Sequence, residues 1–597
     1  MTQFGLLNWA IVGAYLVLNL GLGAWMSRRV RTARDYYLGD RTAPWWAIGV
    51  SVVATYVSAL SFLGGPAWAY GDGMSALIIH TNYALVVFAC VVFFIPFFYN
   101  AGVPSIYDYL ERRFGRAARL TMSALFLFSM GLGAASILTA TAIVITFATG
   151  VPTALAVAGM AGVVVVYTVM GGMNAVIWTD VLQGVILVVG ALVILVALLG
   201  AVGPLPDALA FLDARGRLDP INWEPTLAIP PTVWAGVFAM TLYHVTVYGS
   251  RQFMIQRALA AKSMGDAKKS YLVMGFAAFG LYFVFFFIGA LLYVFYGGEP
   301  TDAPNALMLD FAATLAVPGL LGLLGAAILS ASMSSCSSAF NSMATVIVTD
   351  FYELVFRPGR SKGHYLFVSR VATVAVGAAV IPVALAFAST TGESSILETL
   401  SAVGAYFVGA QLALFGMGFF SKHTTEAGLL WGVAAGFAGL LLVVPLGPLE
   451  GPVSRLWGGG APEVAWPWYP VIAGGINIAV AHGVSVLQRP TREKVADAGI
   501  LLGGALLAWW ASPVPVIGLV AVAGVTFVLV LTLNRVRGGA WPDMSVPGQA
   551  GMFRREGLAE MEDGWHLVPG RVEPVVWLLP VWFAATLAFL AWFGTLG

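Results

Sequence analysis

Leu324-Gly-Ala-Ala-Ile-Leu-Ser330-Ala-Ser332-Met-Ser334-Ser335-Cys-Ser337-Ser338-Ala-Phe-Asn341 is a run of hydroxyls inside a segment otherwise apolar enough to lie in a bilayer. A helix turns by about 100° per residue, so Ser334, Ser337, Ser338, Asn341 and Thr345 share one face, with Ser335 at its edge. Polar side chains at membrane depth are costly unless they face protein or a cavity. A stripe of neutral oxygens without counter-charge suits a small hard cation that has shed its water. Small residues also let helices pack closely, and one or two serines would need no other reason. A stripe this dense points beyond packing.

The rest of the chain supports a membrane setting. Of 597 residues, 59% are hydrophobic and 10% are charged. Soluble domains carry about 25% charged residues, so the sequence reads as an integral membrane protein. The formal net charge of +1 names no partner, and no basic run or motif points to nucleic acid. Cys90 and Cys336 both lie in apolar segments, which argues against a disulfide framework or a cysteine metal cluster. Met1 to Ala10 has no basic region before its apolar run. It reads as the start of a first span rather than a cleaved signal peptide.

Apolar segments give about fifteen or sixteen spans, the uncertain one being the short run 497–511. The connection at roughly 537–572 is rich in Gly, Pro and mixed charge and reads as a linker. The connections carrying Arg28, Arg29, Arg31 and Arg34, then Arg112, Arg113, Arg116 and Arg119, alternate with acidic ones carrying Asp207, Asp213, Asp219 and Glu224. Basic connections stay in the cytoplasm. The expectation is a multi-pass protein of the plasma (cytoplasmic) membrane with its N-terminus outside.

With 1–43 set aside as an extra N-terminal span and its loop, residues 44–202 hold five spans and 231–420 hold five more. An odd number per unit turns the second unit upside down, the inverted-repeat plan of many secondary transporters. The spans of 426–597 are then a C-terminal addition. The first segment of each unit is interrupted at a similar place: Gly64-Gly65-Pro66 in one, and Tyr248-Gly249-Ser250, followed by Arg251, in the other. Gly and Pro weaken helices, and paired interruptions point to a midplane binding site. If the helix unwinds near Ala54-Thr55-Tyr56-Val57, carbonyls such as those of Ala54 and Val57 become free to ligate a cation. Gly171-Gly172 precedes Trp178-Thr179-Asp180. Asp180 either complements a helix N-terminus near the interface or points inward and supplies negative charge beside a second cation.

Taken in order, several stretches resemble the sodium:solute symporter family. They are Tyr37-Leu38-Gly39-Asp40-Arg41, Ser58-Ala59 through Phe62 to Gly64, Gly171-Gly172 through Asp180 to Gln183, Ile255-Gln256-Arg257 through Lys262, and the serine stripe through Asn341-Ser342 to Asp350. The similarity runs from about residue 8 to 425 and implies an all-α polytopic protein. Its core would be a LeuT-type pair of inverted five-helix repeats, with one extra N-terminal helix and about four to five extra C-terminal ones. It also implies alternating access and sodium as coupling ion, with no other cofactor. By the same resemblance, one sodium site comprises the carbonyls of Ala54, Val57 and Ala331 with the hydroxyls of Ser334 and Ser335. A second would comprise Asp180, Ser334, Ser337 and Ser338, giving two sodium ions per cycle.

On the solute side, the resemblance draws attention to Ser58, Ser61, His80, Tyr83, His244, Tyr248 and Ser401. Sugar-carrying members place long amide and carboxylate side chains near Ser61, His80 and Ser401. Here these are Ser, His and Ser, so the solute is expected to be carboxylate-, vitamin- or anion-like rather than a sugar. His80 and His244 can donate hydrogen bonds or can simply be buried and bonded to neighbouring carbonyls. The family's usual Asn or Asp before Gln252 is Arg251. Trp68 and Tyr99 are open as solute contacts or packing aromatics. A membrane sensor or a channel on the same core are the competing readings. No metalloprotease or nucleophile-elbow motif marks an enzyme. Expected partners are sodium, a small solute and the lipid bilayer, with no obligate protein partner evident.

Overall fold

The computed structural model describes residues 4–101, 105–388, 396–421, 423–444, 450–456, 463–488, 490–536 and 572–597. The described residues form helices and turns, with no strand. Among them, 11 helices are long and apolar enough to cross a membrane, and Trp45–Tyr56 is a shorter apolar helix. The linker read at 537–572 lies outside the described residues, apart from its last position.

Helix α1 (Leu6–Met26) and the short α2 (Ala33–Leu38) precede the first unit. Thr32 and Asp35 cap α2 reciprocally, each side chain accepting from the other's backbone amide. The unit continues through α3 (Trp45–Tyr56), α4 (Ala59–Asp72), α5 (Tyr83–Ala89), α6 (Ile95–Ala101), α7 (Asp108–Arg113), α8 (Arg116–Thr149) and α9 (Thr153–Ala201). A π-helical turn at Cys90–Phe94 joins α5 to α6. Two spans merge in α9 across a kink at Gly172, where φ is 54°. A Cβ there would lie 2.7 Å from the Tyr36 carbonyl oxygen. Glycine thus provides both the backbone angle and the room for α2.

After α10 (Leu205–Asp213) come α11 (Met240–Ser250), α12 (Gln252–Leu259), α13 (Met264–Phe295), α14 (Leu307–Leu315), α15 (Leu320–Val346), α16 (Lys362–Ala388) and α17 (Ile396–Phe420). The chain ends in α18 (Glu426–Val443), α19 (Glu450–Leu456), α20 (Tyr469–Gln488), α21 (Arg492–Trp510), α22 (Pro515–Val536) and α23 (Leu578–Phe593). The run at 497–511 is therefore helical, and α21 packs along α22. The serine helix α15 lies at the centre, against α8, α9, α3 and α1.

Both interruptions exist, each displaced from the position read in the sequence. The first lies at Val57 (φ −77°, ψ 86°) and Ser58, not at Gly64-Gly65-Pro66. Ser58 caps α4 by accepting from the Leu60 amide at 3.2 Å. Pro66 stays within α4 because α13 supports it: Gly65 faces Phe285 and Phe286, and a Cβ at Gly289 would collide with the Pro66 carbonyl. The second break is at Arg251, whose φ of −94° and ψ of 135° separate α11 from α12. Gly249 is helical, and its missing Cβ makes room for the Phe94 ring. Glycine and proline in these two spans mark close helix contact, not the breaks.

Candidate cation and solute sites

At the first break, the Ser58 amide turns to the Tyr56 carbonyl and the Ser61 amide to the Ser58 carbonyl, both at 3.0 Å. The carbonyls of Ala54 and Val57 thereby lose the donors that a continuous helix would supply. Opposite them, the Ser335 hydroxyl donates to the Thr55 carbonyl at 2.7 Å, with the Ala331 carbonyl 3.2 Å away. The serine helix and the broken helix are thus joined oxygen to oxygen where the sequence placed the first cation. An apolar groove lined by Val50, Gly184, Leu187 and Val273 backs onto Ala54 and Val57 and offers no competing polar group.

Asp180 points inward. Of the two readings the sequence left open, the geometry supports the inward one, because the residue is fully buried and bonded to neighbouring hydroxyls. One carboxylate oxygen accepts from Ser334 at 2.6 Å. The other accepts from Ser51 at 2.5 Å and Thr55 at 3.2 Å. Ser338 lies 3.2 Å from the Thr55 hydroxyl, while Ser337 donates to the Ser334 carbonyl of its own helix at 3.0 Å.

The cluster also contains a cation of the chain's own. The guanidinium of Arg257, on α12, lies 3.2 Å from Asp180, and both side chains have no exposed surface. Arg257 also donates to Ser51 at 2.9 Å and to Ser338. Its guanidinium reaches only one oxygen of Asp180, and the oxygen held by Ser334 faces the serine stripe. Arg257 belongs to the quoted Ile255-Gln256-Arg257 motif, and by charge it reads with Lys262, Lys268 and Lys269 as part of a basic cytoplasmic connection; the structure instead buries it on α12. The sequence alone assigns no ion-site role to Ser51 or Thr55. A fixed charge in an otherwise apolar span was the available signal for Arg257.

Most of the residues expected to meet a solute form a second cluster, built from the segment Gly73–His80 with α4, α5, α11 and α13. His80 stacks on Tyr282 with ring centroids 3.7 Å apart. Its Nδ1 lies 2.9 Å from the Tyr83 hydroxyl, and Tyr282 lies 3.0 Å from the Ser61 hydroxyl. Tyr56 packs on Tyr248 at 4.6 Å and on His244 at 5.7 Å. His244 Nδ1 lies 2.8 Å from Asn82 Oδ1, whose amide nitrogen donates to the Gly236 carbonyl at 2.8 Å. With Asn82 oriented that way, His244 Nδ1 carries the proton and its Nε2 keeps a lone pair. The Nε2 atoms of His80 and His244 and the Tyr248 hydroxyl are buried without a partner. Buried polar atoms of this kind call for an explanation, and a solute is one.

The side chains of two sequence candidates, Ser58 and Ser401, make no hydrogen bond to that cluster among the described residues. Ser58 spends its hydroxyl on the α4 cap. Ser401, half-buried on α17, makes no hydrogen bond among the described residues. Trp68 donates to Asp72 at 2.7 Å, and Tyr99 donates to the Ala261 carbonyl beside Arg41.

Inverted units with an interrupted span in each, and backbone carbonyls left without helical donors at the first break beside buried serines, fit a secondary transporter. The sodium:solute symporter family profile matches residues 36–436, and the chain belongs to that family. It is 32% identical over 455 residues to the sodium/sialic acid symporter NanT of Aliivibrio fischeri, covering 74% of this chain and 88% of that protein. It is 28% identical over 465 residues to the human sodium/iodide cotransporter, covering 76% and 71% respectively. A solved outward-open structure of a sodium-coupled sialic acid symporter superposes with a TM-score of 0.72 at 24% identity, covering 81% of this chain and 98% of that one. The fold is thus the LeuT-type pair of inverted repeats with added helices. The chain is a sodium-coupled symporter of small solutes, a transporter and not an enzyme.

Proposed function

We propose that the chain imports a small organic solute or anion by alternating access, coupled to two sodium ions per cycle. The observation that carries this reading is the 2.7 Å contact of the Ser335 hydroxyl with the Thr55 carbonyl, at the break in the first span. Sodium one takes the carbonyls of Ala54, Val57 and Ala331 with the hydroxyls of Ser334 and Ser335. Sodium two takes the Asp180 oxygen that Arg257 leaves open, with Ser334, Ser337 and Ser338. Because Arg257 balances Asp180 when the second ion is away, the carboxylate need not be protonated to stay buried.

The repeats span 44–202 and 231–420, and the arginine-rich connections face the cytoplasm with the N-terminus outside. The solute lies among His80, Tyr83, His244, Tyr248 and Ser61. Flat rings and single donors suit a compact solute better than the many hydroxyls of a sugar, whose recognition needs several paired polar groups. The bare Nε2 of His244 asks the solute for an O–H or N–H.

The test is purified protein in sodium-loaded and potassium-loaded vesicles. Sodium should raise the melting temperature where potassium does not, with a Hill coefficient above one. A coefficient of one, or equal effects of the two ions, contradicts the reading. Each further net positive charge carried inward adds about 2.3 kcal/mol per 100 mV to the driving force.

A further inference from the structure

We propose that Arg251, at the break of the second unit, is the counter-ion for a carboxylate on the transported solute. The inference rests on the symporter reading and adds the chemical class of the cargo.

Arg251 follows Tyr248 by less than one helical turn, on the side of the break that leads away from His244 toward α12. Its Nε donates to the Gln411 side-chain oxygen at 3.3 Å. The Gln411 nitrogen in turn donates to Ser250 at 3.1 Å, which fixes the amide with its oxygen toward the arginine. Nη2 of Arg251 is buried and has no partner. The Tyr107 hydroxyl, within electrostatic reach of that guanidinium, is also buried without a partner. Tyr243, beside His244, lies within electrostatic reach of Arg251 as well.

Guanidinium carries five N–H donors and no acceptor, and a charge at membrane depth normally pairs with another. Buried Arg257 follows that rule with Asp180 at 3.2 Å, and Arg119 with Asp350 at 2.6 Å. Among the described residues no carboxylate pairs with Arg251. Among the described residues the hydrogen-bond partner of its side chain is a neutral amide, that of Gln411. The unfilled donor of Arg251 adds to the unfilled polar atoms of His80, His244 and Tyr248 in the same part of the fold. A solute with an anionic oxygen for the guanidinium and a donor group for the bare His244 Nε2 would satisfy both. A carboxylate fits the planar fork of guanidinium with two parallel hydrogen bonds.

The experiment is a thermal-shift series on the full-length protein in sodium, using pairs that differ only in charge: pantothenate against panthenol, nicotinate against nicotinamide, and lactate against propane-1,2-diol. At least one carboxylate should stabilise the wild type, and its neutral partner should not. In R251Q the apparent affinity for that carboxylate should fall by roughly a hundredfold. Q411E keeps the arginine but gives it a permanent carboxylate, and should show a loss of similar direction. This second variant guards against a folding defect in the first. Neutral compounds binding as well as their carboxylates, no carboxylate binding at all, or full affinity retained in both variants would each overturn the assignment. If the wild type shows no stabilisation by sodium over potassium, the symporter reading itself fails; with that stabilisation present, only the role of Arg251 is in question.

Discussion

The guanidinium of Arg257 lies 3.2 Å from the carboxylate of Asp180, and neither side chain has any exposed surface. The two come from opposite units of the fold, Asp180 on α9 and Arg257 on α12. They meet at the serine stripe, where Ser334 holds one partner and Ser338 the other. Such a pair stabilises little relative to apolar residues of the same shape, yet breaking one side of it is expensive. Its presence here fits a role in cation handling better than a role in stability.

Asp180→Asn strands a buried guanidinium and should cost roughly 3–5 kcal/mol of stability. Asp180→Asn combined with Arg257→Met should regain most of that loss. It should still lack the steep sodium dependence, because the acidic oxygen is gone. Melting curves and sodium titrations on the three proteins check both halves. A double variant with wild-type sodium steepness would remove Asp180 from the second site.

Ser335→Ala deletes the hydroxyl that reaches the Thr55 carbonyl at 2.7 Å. The sodium concentration for half-maximal stabilisation should rise by roughly tenfold. Ser335→Thr keeps the oxygen and should remain within a few-fold of wild type. Equal behaviour of the two variants would mean that the residue acts through volume alone.

The short helix α2 closes the arginine-rich side by hydrogen bonds from several helices. Tyr36 meets Thr373 at 2.8 Å and Tyr37 meets Ser369 at 2.5 Å, while Gln256 donates to the Tyr37 carbonyl at 2.6 Å. The proposed alternating access would require these contacts to part when that side opens. Replacing both tyrosines by phenylalanine should therefore speed amide hydrogen exchange in residues 33–40. Unchanged exchange would show that α2 is a fixed part of the scaffold.

Lys268 and Glu573 form a buried pair at 2.5 Å that ties the start of α13 to the turn before α23. Glu573→Gln should lower the melting temperature, and the exchange Lys268→Glu with Glu573→Lys should restore part of the loss. An additive penalty in the exchange variant would show that the two charges do not act as a pair.

Much of this was legible in the sequence because membrane burial makes its rules visible. The multi-pass character followed from hydrophobic length, but the count of about fifteen or sixteen spans exceeds the 11 span-length helices among the described residues, because two spans merge in α9 and others are built from shorter helices. The burial of the serine stripe followed from the cost of placing hydroxyls at depth. Asp180 could be quoted but not oriented, since helix counting does not tell which neighbour fills the opposite face. The breaks were misplaced for a related reason. Gly65 and Gly249 look like helix breakers, yet each is a flat spot facing aromatic side chains, Phe285 and Phe286 in one case and Phe94 in the other. The actual breaks fall at Val57-Ser58 and at Arg251, residues with no intrinsic dislike of helices, and there tertiary packing and the Ser58 cap set the backbone. Thr55 and Ser51 escaped notice because their importance lies in what they face across α3, not in any local pattern.

Equilibrium binding of radioactive sodium to purified protein tests the central claim most directly. The wild type should hold two sodium ions per chain, Ser335→Ala should weaken one of them, and Asp180→Asn with Arg257→Met should abolish the other. A single bound ion in the wild type, or binding indifferent to Ser335, would contradict the placement of sodium between the broken first span and the serine helix.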